Sequence, residues 1–159
     1  MISDQIIALV ISSNEGGYVD NPADPGGCTN YGVTQRQAIA CGYCGDMRAL
    51  PIAVAYQIAK SIYWTPHNLD GLPPLIAFHV FDWLYNGGPA VAALQSAVGA
   101  IPDGNLGPVT IAAATAADQW RTIACINAAR LQYLTSLSIW PSFGKGWANR
   151  IARNMKQVF

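Results

Sequence analysis

The sequence contains little charge: 11% of its 159 residues are charged, and the formal net charge is zero. Because an excess of basic residues is missing, the chain lacks the electrostatic signature of a nucleic-acid-binding protein, and we expect no nucleic-acid partner. Long hydrophobic runs are missing too, since no stretch reaches the ~18–20 apolar residues that a membrane helix needs. We therefore expect no stable insertion into a membrane.

The first residues, MISDQIIALVISSNEGG, lack the basic start of a signal peptide, and Asp4 precedes their short apolar stretch. This pattern predicts synthesis in the cytoplasm without a signal peptide. If the protein acts outside the cytoplasm, another factor must release it.

Cysteine is scarce, and its spacing completes no familiar metal site. Cys41 and Cys44 have the spacing of a metal knuckle or a redox motif, but Cys28 and Cys125 stand alone. Free thiols, a disulfide and a metal site all stay open, with free thiols favoured. Nucleotide-binding loops, zinc-protease motifs and serine elbows are also missing from the sequence, and we expect neither a cofactor nor a metal.

Hydrophobic residues are abundant, at 52% of the chain, and they are interrupted by proline and glycine. Helical spacing and stop signals predict a mainly α fold with a possible small β-hairpin next to the first helix. Pro141 and Gly144 are expected to break the chain before a last helix. The predicted helices run from Ser3 to about Gly16, Thr34 to Ala40, Pro51 to Ile62, Pro74 to Tyr85, Pro89 to Ala100, Pro108 to Ala117, Asp118 to Ser138, and over 146–159.

Glu15 is the only glutamate in the chain, and it is followed at once by Gly16 and Gly17. A carboxyl group at a helix C-terminus meets the negative end of the helix dipole, and partial burial there also disfavours its charged form. Both effects raise its pKa, so that Glu15 can act as a general acid while the two glycines leave room for a large substrate.

Glycoside hydrolysis needs a second carboxylate across a cleft, and the turn-rich segment after Glu15 supplies Asp20 and Asp24. Asp24, or Thr29 with Asn30, could place a water molecule. Asp20 and Asp24 also precede Asn and Pro, where aspartate is common merely as a turn former. The residues alone leave both interpretations open.

The segment EGGYVDNPADPGGCTNYGVTQ (15–35) resembles the signature of glycoside hydrolase family 108, the N-acetylmuramidases of bacteria and phages. Further stretches that resemble this family are YWTP (63–66), DGLPPLIAFHVFDWLYNGGP (70–89), LQSAVGAIPDGNLGPVT (94–110) and FGKGWANRIARN (143–154). The resemblance implies a lysozyme-like helical fold. It also implies cleavage of the β-1,4 bond from N-acetylmuramic acid to N-acetylglucosamine, with Glu15 as the essential acid.

The wider lysozyme superfamily suggests the other catalytic residues. Phage lysozymes space their catalytic residues as E-x8-D-x5-T, and here Glu15, Asp24 and Thr29 read E-x8-D-x4-T. The resemblance therefore implies Asp24 and Thr29 as partners of Glu15, with the threonine one residue closer than in the pattern.

A saccharide cleft needs flat aromatic rings for the sugar faces and amides for the N-acetyl groups. Asn30, Tyr31 and Gln35 follow the predicted acid and are the first candidates for substrate binding. Trp64, Tyr85 and Asn86 come second, although a tryptophan in a helical protein belongs more often to the core.

The resemblance also implies an organisation and a biological role. Residues 1–86 are expected to form a catalytic lobe, with a helical peptidoglycan-binding-like lobe, 87–159, packed on it in one compact unit. The expected protein is a monomeric phage or prophage endolysin that acts on glycan strands of peptidoglycan in the periplasm, with a holin as the expected route of release. The alternatives are a non-catalytic glycan-binding or secretion-accessory module and, less favoured, an amidase or endopeptidase.

Overall fold

The computed structural model describes residues 2–13, 17–20 and 26–157. The chain divides into two compact units, residues 1–66 and 67–159. The division therefore falls after Pro66 and not, as expected, after Asn86. The helix that ends at Asn86 packs on later helices, which places it in the second unit. The functions expected of the two lobes stay predictions.

The first unit consists of short helices around a small hairpin, as predicted. Its elements are α1 Ile2–Ser13, β1 Thr29–Asn30, β2 Val33–Thr34, α2 Gln35–Ala40, a 3₁₀ turn Met47–Ala49, α3 Ile52–Ala59 and a π-helical turn Lys60–Trp64. The two strands pair antiparallel, with Thr29 opposite Thr34 and Asn30 opposite Val33.

Local chemistry explains why α2 begins where it does. The Thr34 hydroxyl accepts a hydrogen bond from the backbone N–H of Gln37 at 3.3 Å. The Gln37 side chain in turn accepts one from the Thr34 backbone N–H at 3.0 Å. This reciprocal capping box satisfies two N–H groups that a helix start otherwise leaves without partners, and it fixes the hairpin directly against the helix.

The core of the first unit forms in two parts. Helix α1 buries one apolar face and packs against α3. A second cluster lies beneath the hairpin and comprises Val33, Ala38, Met47, Leu50, Ala55 and Ile58. The hairpin is therefore anchored on one face by apolar side chains.

The second unit is a bundle of longer helices. Its elements are a 3₁₀ turn Leu69–Gly71, α4 Pro74–Asn86, α5 Ala90–Ala97, α6 Pro108–Ala116, α7 Gln119–Thr135 and α8 Trp140–Asn154. Helix α7 is central, since it packs on α4, α5, α6 and α8. Within the described residues, none of the helices is both long and apolar enough to cross a lipid bilayer.

The turn between α5 and α6 is organised by one buried amide. The Gln95 Nε2 donates to the Asp103 carboxylate at 2.7 Å and to the Asn105 carbonyl at 3.0 Å. The Gln95 Oε1 accepts from the backbone N–H of Gly104 at 2.9 Å. The sequence IPDGNLGP is thus a tight turn, as predicted, and its shape comes from a residue on α5.

The expectation that Pro141 and Gly144 break the chain is wrong. Helix α8 begins at Trp140 and runs through both residues. Pro141 lies in the first helical turn, where the N–H that proline lacks would have no partner anyway. A Cβ atom at Gly144 would stand 2.6 Å from the Trp140 indole ring. Glycine is therefore needed at this position so that the ring can pack against the helix backbone.

Candidate active site

Glu15 and Asp24, the predicted proton donor and second carboxylate, lie outside the described residues. The residues around them are described. Helix α1 is helical through Ser13, and the chain is described again from Gly17 to Asp20 and from Gly26 onward. The described part of the candidate site consists of the hairpin and the segments that pair with it.

The hairpin is extended to three segments by a bridge to Val19. The N–H of Val19 donates to the carbonyl of Thr29, the N–H of Thr29 donates to the carbonyl of Val19, and both distances are 2.8 Å. Thr29 thus lies in the middle, paired to Val19 on one side and to Thr34 on the other. This position fixes the Thr29 backbone on both sides.

The two faces of the hairpin differ in exposure. Asn30 and Val33 are buried, at 5% and 1% exposed, and face the apolar cluster. Thr29 and Thr34 are directly opposite each other and only half-buried. Because successive side chains of a strand point to opposite faces, Thr29 lies on the accessible face, where its hydroxyl can meet a substrate or a water molecule.

The prediction that Asn30 binds substrate is not supported by its surroundings. Its Nδ2 donates to the Met47 carbonyl at 2.7 Å, within the buried layer. The amide ties the hairpin to the 3₁₀ turn below it. Asn30 therefore has a structural role, and the sequence could not distinguish it from its neighbours Thr29 and Tyr31.

Tyr31 occupies a strained position at the tip of the hairpin. Its φ is 53°, in the left-handed region, and Gly32 follows with φ 81°. Positive φ at both central residues is the geometry of a type I′ hairpin turn, which usually takes Asn-Gly. A tyrosine there costs about 1–2 kcal/mol, and such strain clusters at functional sites. Tyr31 thus stays a candidate for sugar contact, half-buried against the core.

Gln35 is exposed at the first position of α2. Its Oε1 accepts a hydrogen bond from the Cys28 thiol at 3.7 Å. A Cβ atom at Gly27, whose φ is +76°, would stand 2.8 Å from the same oxygen. Glycine at position 27 therefore makes room for the Gln35 amide, which is exposed beside the hairpin; its role in substrate binding stays a prediction.

Tyr18 and Arg48 form a pair that no local sequence pattern indicates. The Arg48 guanidinium lies over the Tyr18 ring, 4.7 Å from its centroid. The Tyr18 hydroxyl donates to the Asp20 carboxylate at 3.2 Å. Desolvation, followed by hydrogen bonding with Cys28, raises the pKa of Tyr18 to about 12. Tyr18 therefore stays a neutral hydrogen-bond donor at physiological pH, and its hydroxyl engages the Asp20 carboxylate.

Trp64 does not fit its predicted role in substrate binding. It ends the π-helical turn and is only 1% exposed. A buried ring offers no face to a sugar, so the alternative reading of Trp64 as a core residue holds.

Tyr85 and Asn86 end α4 and belong to the second unit. The Tyr85 ring stacks on Phe81 with a centroid distance of 5.8 Å. The Asn86 Oδ1 accepts a hydrogen bond from Arg130 Nη2 at 2.9 Å. Both side chains are half-buried, so part of each is accessible, and the Asn86 amide is oriented with its oxygen toward Arg130.

Arg130 connects Asn86 to a buried ionic network centred on Asp82. The Asp82 carboxylate accepts from Arg130 at 2.7 Å, from Arg150 at 2.7 Å and from Asn154 at 2.6 Å. Burial by itself would raise the pKa of Asp82, but the guanidinium groups of Arg150 and Arg130 outweigh it and lower the pKa. The ionised Asp82 carboxylate thus links α4 to α7 and α8 through these hydrogen bonds and ion pairs.

His79 is buried one turn before Asp82. Its Nδ1 accepts from the Asn127 amide at 3.2 Å, since an amide nitrogen can only donate. Burial lowers the pKa of His79 to about 4. His79 is therefore neutral at physiological pH and serves as a packed link between α4 and α7.

The four cysteines are free thiols. Cys28 is half-buried, whereas Cys41, Cys44 and Cys125 are exposed. Across the described ranges, no three His, Cys, Asp or Glu side chains gather as a metal site would require.

Comparison with known proteins extends this picture. The model of the family Glycosyl hydrolase 108 matches residues 8–88. Among solved structures, "Structure of Brucella abortus SagA" is similar over 96% of this chain and 91% of that chain, with 35% sequence identity and a TM-score of 0.81. No curated protein sequence matches the chain significantly. The mainly α, lysozyme-like fold that the sequence predicts is confirmed.

Proposed function

This chain belongs to the glycosyl hydrolase 108 family, and from that premise we propose that it is a lysozyme-type N-acetylmuramidase. The bond cleaved is the β-1,4 bond between N-acetylmuramic acid and N-acetylglucosamine. Family membership supports a glycoside hydrolase that acts on peptidoglycan. The observation that carries the finer proposal is that the matched region, residues 8–88, contains the whole glycine-rich segment around Glu15.

In this proposal Glu15 is the general acid. It donates its proton to the oxygen between the two sugars as the glycosidic bond breaks. Helix α1 is helical through Ser13, and the helix stop expected at Gly16 and Gly17 would put the Glu15 carboxyl near the negative end of the helix dipole, which favours its protonated form.

Asp24 is the proposed second carboxylate. It assists the attacking water or shields the positive charge that develops on the sugar ring. Asp20 is the less suitable candidate, since its carboxylate already accepts the Tyr18 hydrogen bond. Thr29, on the accessible face of the hairpin, can orient the same water. We favour inversion of configuration at the cleaved carbon.

The proposed sugar contacts are the accessible members of the predicted set. Tyr31 and Gln35 lie beside Thr29 on the hairpin and at the start of α2. Tyr85 and Asn86 remain proposed contacts on the second unit, where Asn86 presents its Nδ2 donor while Arg130 holds its oxygen. An amide donor suits the carbonyl of an N-acetyl group.

The proposed biological setting is lysis of a bacterial host by a phage or prophage endolysin. The enzyme is made in the cytoplasm, acts as a monomer on the wall from the periplasm, and reaches it through a holin. Residues 87–159 are proposed to assist by binding peptidoglycan. Expression in cells with and without a holin, followed by culture turbidity, tests this setting: lysis that needs no holin contradicts it.

A reducing-sugar assay on purified peptidoglycan tests the activity. The wild-type chain is expected to release new reducing ends, and Glu15→Gln is expected to release them at least ~100-fold more slowly. Asp118→Asn is the matched control, because Asp118 only caps α7 and asparagine caps a helix equally well. Equal rates for wild type and Glu15→Gln would remove the proposed mechanism.

The alternative of a glycan-binding or secretion-accessory module makes the opposite prediction. Such a protein sediments with peptidoglycan and releases no reducing ends. An amidase or endopeptidase would release peptides while leaving the glycan strands intact. The reducing-sugar assay therefore separates the proposed muramidase from both.

A further inference from the structure

The zero net charge conceals a strong segregation along the chain. All nine acidic residues lie at or before Asp118, whereas residues 119–159 contain six basic residues and no acidic one. Two of the six, Arg130 and Arg150, are paired with the buried Asp82. The other four are exposed and form no ion pair within the described residues: Arg121, Lys145, Arg153 and Lys156.

The start of α8 carries a partly exposed apolar cluster within this basic region. We call this cluster the aromatic end of α8, and it comprises Ile139, Trp140, Phe143 and Trp147. Phe143 stacks on Trp147 at 5.7 Å between ring centroids, and Trp140 lies 6.2 Å from Trp147. Ile139 and Phe143 are 50% and 55% exposed even with the whole chain present.

The cluster is held in place by the backbone beneath it. The Trp140 ring covers Gly144, where a Cβ atom would stand 2.6 Å from the ring. A glycine inside a helix is unfavourable unless the missing side chain serves packing. Gly144 therefore fixes Trp140 against the helix, and an ordered group of rings faces the solvent.

We propose that the aromatic end of α8 docks on an anionic lipid surface. Tryptophan and phenylalanine enter the boundary between headgroups and acyl chains, where an amphipathic ring finds both environments. Lys145 is two residues from both Phe143 and Trp147 and therefore projects from the opposite side of α8. This is the arrangement of an interfacial helix, in which rings enter the membrane boundary and long basic side chains reach lipid phosphates from the polar face. Arg153 and Lys156, farther along α8, add to the attraction, since basic residues near an anionic leaflet strengthen binding.

The composition of the cluster favours lipid over a saccharide. Sugar sites combine aromatic rings with carboxylates and amides that bind hydroxyl groups, and residues 119–159 contain no carboxylate side chain. Ile139 is aliphatic and half-exposed, which suits hydrocarbon and gives a sugar nothing to bind. The unpaired basic residues complement an anionic surface.

Docking of this kind is separate from glycan cleavage. It would hold the protein at a membrane, next to the wall that the proposed activity degrades. Because it uses neither Glu15 nor the hairpin, a chain without hydrolase activity would still bind lipid.

Vesicle co-sedimentation of the full chain tests the proposal. The vesicles contain either phosphatidylcholine alone or equal parts phosphatidylcholine and phosphatidylglycerol. The chain is expected to bind the anionic vesicles at least ~10-fold more strongly, and added salt is expected to weaken binding. Tryptophan emission should shift to shorter wavelength as Trp140 and Trp147 leave water.

Two surface variants locate the contact. Phe143→Ser and Lys145→Glu are each expected to weaken binding about fivefold or more. Ile101→Ser is the matched control, because Ile101 is 80% exposed but lies outside the cluster. Ile139→Ser replaces Phe143→Ser if the latter alters the circular dichroism spectrum.

Three results would overturn the proposal. They are equal binding to both kinds of vesicle, no binding to either, and a loss in Ile101→Ser as large as in Phe143→Ser. Sedimentation equilibrium adds a fourth: self-association that Phe143→Ser abolishes, without vesicle binding, would make the cluster an interface between copies of the chain.

Discussion

The hairpin of the first unit and the buried centre of the second unit are held by contacts that span different distances along the chain. In the first unit, the hairpin and α2 are joined by bonds between close neighbours, such as Thr34 with Gln37. In the second unit, Asp82 on α4 is bound by Arg130 and Arg150, which are 48 and 68 residues away. The proposed site thus depends on a locally determined hairpin, whereas the buried centre of the second unit is assembled from distant residues.

After the loss expected at Glu15, the next largest effect on activity is expected at Asp24. Asp24→Asn should lower the rate of peptidoglycan cleavage ~10²–10⁴-fold and leave the melting temperature unchanged, since a catalytic carboxylate aids only the transition state. Asp20→Asn is the control, because Asp20 is engaged by Tyr18. A larger loss of rate in Asp20→Asn than in Asp24→Asn would exchange the two roles.

The largest expected effect on stability comes from Asp82. Asp82→Asn leaves two guanidinium groups near an uncharged partner, and we expect the free energy of unfolding to fall by about 3–5 kcal/mol. Asp118→Asn makes the same chemical change at an exposed helix cap and should cost less than about 0.5 kcal/mol. Urea denaturation of both variants measures the difference. Similar losses of unfolding free energy would show that the buried ionic network around Asp82 contributes no more to stability than an exposed helix cap.

The pH dependence of stability should report on His79. Its pKa is about 4 in the folded chain and about 6.5 when unfolded, so the unfolded state binds more protons between these values. Stability is therefore full above pH 6.5 and decreases, by on the order of 3 kcal/mol, as the pH falls toward 4. Denaturation across this range should show a flatter profile for His79→Gln, and an unchanged profile would rule out this role for His79.

The smallest expected effect separates two glycines of α8. Gly144→Ala should destabilise by about 1–3 kcal/mol, because the new methyl group meets the Trp140 ring. Gly146→Ala meets nothing within 4 Å and should stabilise by about 0.5–1 kcal/mol through helix propensity. Thermal melting compares them, and a shift in the same direction for both would contradict the packing role of Gly144.

The sequence predicts features that local chemistry controls. The helix Gln35–Ala40 with its Thr34 cap, the helix from Pro74 and the hairpin all follow from capping, proline and turn signals. Thr29 is half-buried and Gln35 exposed, and the roles assigned to both stay predictions.

The sequence does not predict what packing controls. Asn30 and Trp64 have the right chemistry for a sugar site but are buried by neighbours that no local pattern shows. The π-helical turn Lys60–Trp64 and the Asp82 network were missed for the same reason. Proline and glycine are common helix breakers, so the sequence predicts a break at Pro141 and Gly144. Packing of the Trp140 ring explains why glycine stands at position 144 inside α8.

The most direct test of the central claim is mass spectrometry of purified peptidoglycan digested by the wild-type chain and by Glu15→Gln. We predict fragments that end in reducing N-acetylmuramic acid from the wild type, and none above background from the variant. Fragments with intact glycan strands, or the same muramic acid ends from both proteins, would contradict the account.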